Sequence, residues 1–186
     1  MMRICRFVVG ALLLGTSGAG GQSVRYGLGA GLLLPIVDYN DIDKVGWVVG
    51  ADITYWLPST HVGIRAEGSF SQTRQRAGAC CLADHTTQLA GGMADLVYAF
   101  GARALRVRPY LFAGLGVYNL RLSAPGFVPS SDARVGFGGG AGIAYRAGSG
   151  STRVFLESKA TSLTLNGAQF ASIVVRVGLR FGRKQP

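Results

Sequence analysis

Strict alternation of apolar and polar residues is the clearest feature of this chain, and the segment 171–181 shows it best. Positions 171, 173, 175, 177, 179 and 181 are Ala, Ile, Val, Val, Leu and Phe, whereas the positions between them include Ser172, Arg176 and Arg180. A period of two residues is typical of a β-strand with one apolar and one polar face. Such a strand with an aromatic end indicates a barrel in an outer membrane, where lipid contacts the apolar face.

The same period recurs along the chain and predicts eight strands. They are expected at 24–34, 46–57, 61–73, 88–100, 108–121, 134–146, 153–162 and 170–181. Each segment is long enough for a tilted strand to cross a bilayer, which takes about 9–11 residues. The pattern therefore predicts an all-β fold, an eight-stranded antiparallel up-and-down transmembrane β-barrel.

The connections between these segments alternate between short and long. The shorter ones are 58–60, 101–107 and 147–152. The longer and mostly more polar ones are 35–45, 74–87, 122–133 and 163–169. Outer-membrane barrels have short periplasmic turns and longer external loops. We therefore expect an integral protein of the cell outer membrane with both termini in the periplasm.

Aromatic residues recur eight positions apart on three of the predicted strands. Eight residues at ~3.4 Å each, tilted by about 40°, climb roughly 20 Å, which is close to the height of the apolar band of such a barrel. This spacing predicts an aromatic girdle at the membrane borders. Its expected members are Trp47, Tyr55, Tyr98, Tyr110, Tyr118, Phe137, Tyr145 and Phe181.

The fifth predicted strand is ambiguous, because both of its faces carry large apolar residues. The girdle spacing favours an outward position for Tyr110 and Tyr118. Leu111, Leu115 and Asn119 would then point into the lumen.

Charged residues on the predicted strands fall near mid-strand, on the face opposite the apolar side chains. A midplane Arg or Lys facing lipid would cost about 2–4 kcal/mol, so these residues should point inward. The interior of an eight-stranded barrel is just wide enough for side chains to fill it, and buried charges must be paired. We predict a lumen plugged by an ion-pair network, with a proton or ion path through it as the alternative. The expected members are Asp52, Arg65, Glu67, Asp95, Glu157, Lys159 and Arg176.

Glycine accounts for 29 of 186 residues, about twice its usual share. It recurs at alternate positions, as in Gly27, Gly29 and Gly31. In a small barrel this spacing leaves one face thin enough to fit inside.

The first 21 residues are expected to be a cleaved signal peptide. Arg3 and Arg6 precede a short apolar core at 7–14, and the small residues 19–21 offer a cleavage site before Gln22. The predicted domains are then a signal peptide at 1–21, an outer-membrane barrel at 22–181 and a short periplasmic tail at 182–186.

The net charge of +10 raises the question of nucleic-acid binding. No basic helix and no RNA-binding motif accompany the charge, and the arginines lie on polar strand faces, at strand ends and in turns. Arginines at membrane borders can instead meet lipid phosphates. We therefore expect no nucleic-acid partner.

Cys80 and Cys81 are adjacent in the second long connection. Neighbouring Cα atoms are ~3.8 Å apart, below the usual range for a disulfide, so a bond between them would be strained. A vicinal disulfide, pairing with another chain and two free thiols all remain open. Asp84 and His85 follow closely, but the spacing matches no strong zinc pattern, and no metal or cofactor is expected.

Two histidines, His61 and His85, limit the enzymatic alternatives. Neither has a recognisable spacing to a serine nucleophile and an acid. A lipid A-modifying enzyme of deacylase or acyltransferase type would need such a set on the outer surface, with His85 as its histidine. A soluble lipocalin-like barrel would need an apolar interior and a polar outside, the inverse of the observed pattern. The sequence thus favours a non-enzymatic barrel with a structural or surface-interaction role through its external loops.

Three segments resemble the eight-stranded outer-membrane barrel family that includes the OmpA- and OmpX-like proteins. They are RPYLFAGLGVY at 108–118, GFGGGAGI at 136–143 and VGLRF at 177–181. The resemblance covers residues 22–181. It implies contact with outer-membrane lipid and lipopolysaccharide, and insertion by the barrel-assembly machinery with Leu179 and Phe181 as the assembly signal. The chain departs from the family pattern at Arg176, where glycine is common, and in the five residues after Phe181.

Overall fold

A computed structural model describes residues 23–75, 85–124, 130–148, 150–165 and 168–182. The strands are β1 Ser23–Val37, β2 Gly46–Trp56, β3 Val62–Arg74, β4 Thr86–Ala99, β5 Val107–Ser123, β6 Ser130–Arg146, β7 Arg153–Leu165 and β8 Ala168–Gly182, and the short helix α1 spans Asp38–Ile42. None of the helices in these ranges has the length and apolar character to cross a membrane. The predicted signal peptide and Cys80 and Cys81 lie outside the described residues.

The eight strands form a closed antiparallel barrel in sequence order. Each strand pairs with its neighbours along the chain, and β1 pairs with β8 over thirteen residues from Arg25 to Val37 to close it. The prediction of an eight-stranded up-and-down barrel is confirmed. Several strands run further than expected into the predicted loops, since β5 continues to Ser123 and β8 begins at Ala168.

The two ends of the barrel differ. We call the end where β1 begins and β8 finishes the terminal end, and it also carries the connections 57–61, 100–106 and 147–152. We call the opposite end the helix end, because α1 lies there between β1 and β2. The helix was not predicted, and its Tyr39 packs inward against Phe170, with ring centroids 5.3 Å apart.

The interior consists of three layers. The terminal end holds an apolar cluster of Trp56, Val97, Ala99, Tyr110, Phe112, Ala144 and Phe155. The helix end holds a smaller cluster of Leu33, Tyr39, Val48 and Val174, with Phe170 packed against it. Charged side chains fill the layer between them. The outer wall, in contrast, presents apolar residues such as Leu28, Ile64 and Leu96, each more than half exposed.

The predicted orientation of β5 is wrong. Tyr110 and Tyr118 are both 4% exposed and point inward, whereas Leu111 and Leu115 are 49% and 65% exposed on the outer wall. Asn119 is also exposed. The physical reason is that the aromatic rings fill interior volume and bring hydroxyl groups to polar partners, while the aliphatic face suits lipid.

Inward glycines make room for the large interior side chains. A Cβ atom at Gly27 would lie 2.3 Å from the carboxylate of Asp52, and one at Gly142 would lie 2.4 Å from the ring of Tyr110. Both distances are far below van der Waals contact. Glycine at these inward positions therefore leaves the space that the large interior side chains occupy.

Candidate functional site

The seven charged residues selected from the sequence all lie inside the barrel. None is more than 5% exposed. They come from β2, β3, β4, β7 and β8, and the alternation of each strand is what turns them inward. The site is a network of ion pairs across the middle of the lumen.

Arg65 lies at the centre of this network. Its guanidinium donates to Asp95 on the adjacent strand at 2.7 Å and to Glu157 across the lumen at 3.0 Å. A third nitrogen lies 3.5 Å from Glu67. The planar fork of arginine suits this role, because it presents several donors in fixed directions.

Glu67 and Glu157 each receive more than one cation. Arg176 pairs with Glu67 at 2.8 Å and also with Glu157, its direct cross-strand partner. Lys159 pairs with Glu67 across the lumen. Shared carboxylates connect these pairs into one network in which each charge has a partner.

Arg180 and Tyr110 belong to the network but were not among the predicted members. Arg180 contacts Asp52 at 3.3 Å and Glu157 at 3.0 Å, and it is what joins Asp52 to the rest. Tyr110 donates its hydroxyl proton to Glu157 at 2.7 Å. Arg180 could have been found from its place on the polar face of the last strand, four residues after Arg176. Tyr110 could not, because it was assigned to the outer face.

Aromatic rings border the cations of the network. Arg65 lies over Phe112, with 4.0 Å from the guanidinium carbon to the ring centroid. The guanidinium carbon of Arg180 lies 4.3 Å from the ring centroid of Phe155. Cation–π contacts of this kind stabilise a desolvated cation from the side that carboxylates do not reach.

The network balances its charges. Its carboxylates are Asp52, Glu67, Asp95 and Glu157, and its cations are Arg65, Lys159, Arg176 and Arg180. Four negative and four positive groups leave no formal charge in the middle of the lumen. Chemically, this arrangement holds strands together across the barrel and fills its cross-section.

A second polar cluster lies at the helix end, in what was predicted as loop. Asp43 is fully buried and bridges Thr73 at 2.5 Å and His85 at 3.0 Å. Because Thr73 donates its only proton to Asp43, the hydroxyl of Tyr39 donates in turn to Thr73 at 2.8 Å. Burial, with the nearby charge of Asp43, raises the pKa of Tyr39 well above its ordinary value of 10.0, so this phenol stays protonated. The cluster ties α1 and Asp43 to β3 and to His85.

His85 does not lie on the outer surface that a lipid A enzyme would need. It is 6% exposed, and its Nε2 atom is engaged by Asp43. Its Nδ1 atom has no hydrogen-bond partner within the described ranges. His85 and Asp43 are thus paired. The neighbouring hydroxyl, that of Thr73, donates to Asp43 rather than to His85, so these three groups do not form a hydroxyl–histidine–acid relay.

Six of the eight predicted girdle residues lie on the outer wall. Tyr55 is half-buried there, and the exposed ones are Trp47, Tyr98, Phe137, Tyr145 and Phe181. Trp47 packs on Phe70 with ring centroids 5.5 Å apart, and Tyr98 on Phe100 at 5.0 Å. Tyr110 and Tyr118 are the two that the structure places in the lumen instead. Leu179 and Phe181 both face outward near the end of β8.

Within the described ranges, no group of three or more metal-binding side chains occurs. Of the possible Cys-Cys-Asp-His set, only His85 lies within them. Cys80, Cys81 and Asp84 lie outside the described residues.

A closed eight-stranded barrel with an apolar outer wall and a charged, filled interior defines an integral outer-membrane barrel protein. Comparison with known families agrees, because residues 7–181 match the model of the outer membrane protein beta-barrel domain. The chain belongs to this family. No curated protein sequence matches it significantly.

Solved structures with the same fold share little sequence with this chain. Neisserial surface protein A is 16% identical with a TM-score of 0.60, covering 89% of this chain and 99% of its own. The N-terminal barrel domain of Pseudomonas aeruginosa OprF is 17% identical with a TM-score of 0.53, covering 88% and 100%. The attachment invasion locus protein Ail of Yersinia pestis is 19% identical with a TM-score of 0.53, also covering 88% and 100%. These similarities establish the fold alone.

Proposed function

We propose that this protein is a non-enzymatic outer-membrane barrel that acts through the loops of its helix end. The filled, charge-balanced layer in the middle of the lumen carries the proposal. Since paired side chains occupy this layer, the barrel offers no wide aqueous path. The outer wall is apolar and suited to lipid. The two ends of the barrel are therefore the surfaces that remain for contacts with molecules other than lipid.

We further propose that the helix end faces the outside of the cell and that both termini are periplasmic. All three connections at the terminal end are only five to seven residues long, at 57–61, 100–106 and 147–152. The helix end carries α1 and the longest connection, from Gln75 to His85. Short turns on the periplasmic side and longer loops outside are the rule for such barrels.

The proposed partners follow from the same surfaces. Outer-membrane lipid and lipopolysaccharide would contact the apolar wall and its aromatic residues. The barrel-assembly machinery would recognise the end of β8, where Leu179 and Phe181 are exposed. The partner of the external loops has no chemical signature in the described residues.

Surface labelling of intact cells tests the orientation and the role together. An epitope inserted between β5 and β6 should bind antibody on unbroken cells, whereas one inserted between β6 and β7 should bind only after the outer membrane is opened. Labelling in the reverse pattern would overturn the proposed orientation.

The lipid A of the same cells tests the absence of enzymatic activity. Its mass spectrum should be unchanged by expression of the protein, with the His85→Ala variant as the matched control. A new lipid A mass that disappears in H85A would replace the proposal with a lipid A-modifying activity.

A further inference from the structure

Negative and positive side chains are unevenly divided between the ends of the barrel. The chain has nine acidic residues. Four belong to the lumen network, and the other five belong by chain position to the helix end: Asp38, Asp41, Asp43 and Asp84 in α1 and the connections, and Asp132 near the start of β6. None falls at the terminal end, beyond the layer of Asp52. Within the part of the chain that the structure describes, the arginines there are Arg25, Arg103, Arg106, Arg108, Arg146, Arg153 and Arg180.

Several of these arginines point into the lumen rather than into water. Arg108 is 8% exposed and Arg153 only 4%. Arg25 on β1 is repelled by Arg180 on the adjacent β8 and by Arg108, Arg146 and Arg153 on β5, β6 and β7. Arg180 is compensated by Asp52 and Glu157, whereas no carboxylate of the described residues forms an ion pair with Arg25, Arg108 or Arg153. Buried like charges without such compensation are costly, and an anion would reduce that cost.

The guanidinium groups also retain unused donors. Buried nitrogens of Arg25, Arg108 and Arg153 have no hydrogen-bond partner: Nη1, Nε and Nη1 respectively. Other nitrogens of two of these groups are held in place by backbone carbonyls, with Arg153 donating to Arg103 at 2.9 Å and Arg108 to Ala99 at 3.4 Å. The donors are therefore both positioned and available.

A small cavity of about 30 Å³ lies among these groups. Its lining includes Arg25, Arg108, Arg153 and Arg180, together with Thr54 and Tyr110. A space of this size holds roughly two water molecules or one small anion. The ring of Trp56 also borders it and stacks on Arg108, 5.0 Å from the guanidinium carbon to the ring centroid.

We propose that the terminal end of the lumen is a binding site for a small tetrahedral oxyanion, a phosphate group. Guanidinium forks match the geometry of phosphate oxygens and form charge-assisted hydrogen bonds with them. The phosphate is either free in solution or the headgroup of a lipid that reaches the mouth of the barrel. This site is separate from the external loops of the proposed function.

Stability in phosphate tests the proposal on the unmodified protein. A ligand that binds only the folded state raises its stability. The barrel refolded in detergent should unfold at a higher urea concentration in inorganic phosphate than in sodium chloride of equal ionic strength, which controls for simple screening. Equal midpoints in the two salts would overturn the proposal.

Matched variants locate the site. Arg153→Gln and Arg108→Gln each remove one lining guanidinium, and calorimetry should find phosphate binding about tenfold weaker in each. Arg106→Gln removes the same charge from an exposed position at the same end and should leave binding unchanged. Gel mobility without boiling shows whether each variant has folded. Two lining variants are used so that the proposal can still be tested if one of them does not fold. Equal losses in R106Q and R153Q would contradict a specific site.

Two ligands distinguish the sources of the phosphate group. Inorganic phosphate is compared with a water-soluble short-chain phosphatidylglycerol in the same calorimetric assay. Binding of inorganic phosphate alone identifies a free anion, and binding of the lipid alone or more tightly identifies a headgroup. Binding of neither would overturn the proposal.

Discussion

At the scale of single residues, the lumen shows how buried charges are compensated by ion pairs. Asp52 and Glu67 face each other directly across β2 and β3, an unfavourable arrangement of like charges. Arg180 engages the first, and Lys159 and Arg176 engage the second. Each carboxylate is thus compensated by cations from β7 or β8, strands that pair with neither β2 nor β3.

Glu157→Gln should lower the free energy of unfolding by about 3–5 kcal/mol, because it leaves cations buried without compensation. Glu157 contacts Arg65, Arg176 and Arg180. Urea unfolding of the refolded barrel measures the change. Asp132→Asn is the control, since its pair with Arg134 is exposed and its loss should cost under about 1 kcal/mol. Similar losses in the two variants would contradict a tight central network.

At the scale of elements, β5 shows why alternation alone does not orient every strand. Its two faces are both largely apolar, so hydrophobicity does not choose between them. Aromatic spacing favoured the wrong face. The interior position of Tyr110 is fixed by its hydrogen bond to Glu157, and that of Tyr118 is supported by a contact with Met93 at 3.4 Å.

Leu115→Arg should destabilise the barrel by about 2–4 kcal/mol, the cost of an arginine facing lipid near the bilayer midplane. Leu115 is 65% exposed at the middle of β5. The matched control is Leu105→Arg, in the connection before β5, where the same change should cost about 0–1 kcal/mol. Folding into lipid vesicles followed in urea gives both values. An unchanged free energy for L115R would mean that this face of β5 does not meet lipid.

At the scale of the whole molecule, closure depends on the close approach of β1 and β8. Gly178 lies on β8 where a Cβ atom would come 2.1 Å from the carbonyl oxygen of Leu28 and 2.7 Å from the ring of Phe155. A backbone oxygen cannot give way as the end of a flexible side chain can. The seam between the first and last strands therefore requires glycine at this position.

Gly178→Val should open or weaken the seam, whereas Gly68→Ala should be tolerated. A Cβ atom at Gly68 meets nothing within 4 Å, so it controls for the loss of a glycine. Electrophoresis with and without boiling measures closure, since an intact barrel migrates differently from its unfolded chain. The shift on boiling should persist in G68A and be lost or reduced in G178V. A full shift in G178V would show that the strands separate without cost.

The sequence by itself determined the number of strands, their approximate bounds and the inward direction of seven charged residues. It could do so because side-chain alternation is a local property of an extended backbone. Only the tertiary structure decided which charges meet, since Lys159 and Glu67 are 92 residues apart and join only when the barrel closes. Barrel closure likewise determined which face of β5 points inward, brought Arg180 into the network and placed arginines from five strands around one cavity. Those outcomes depend on register and curvature, which no single strand contains.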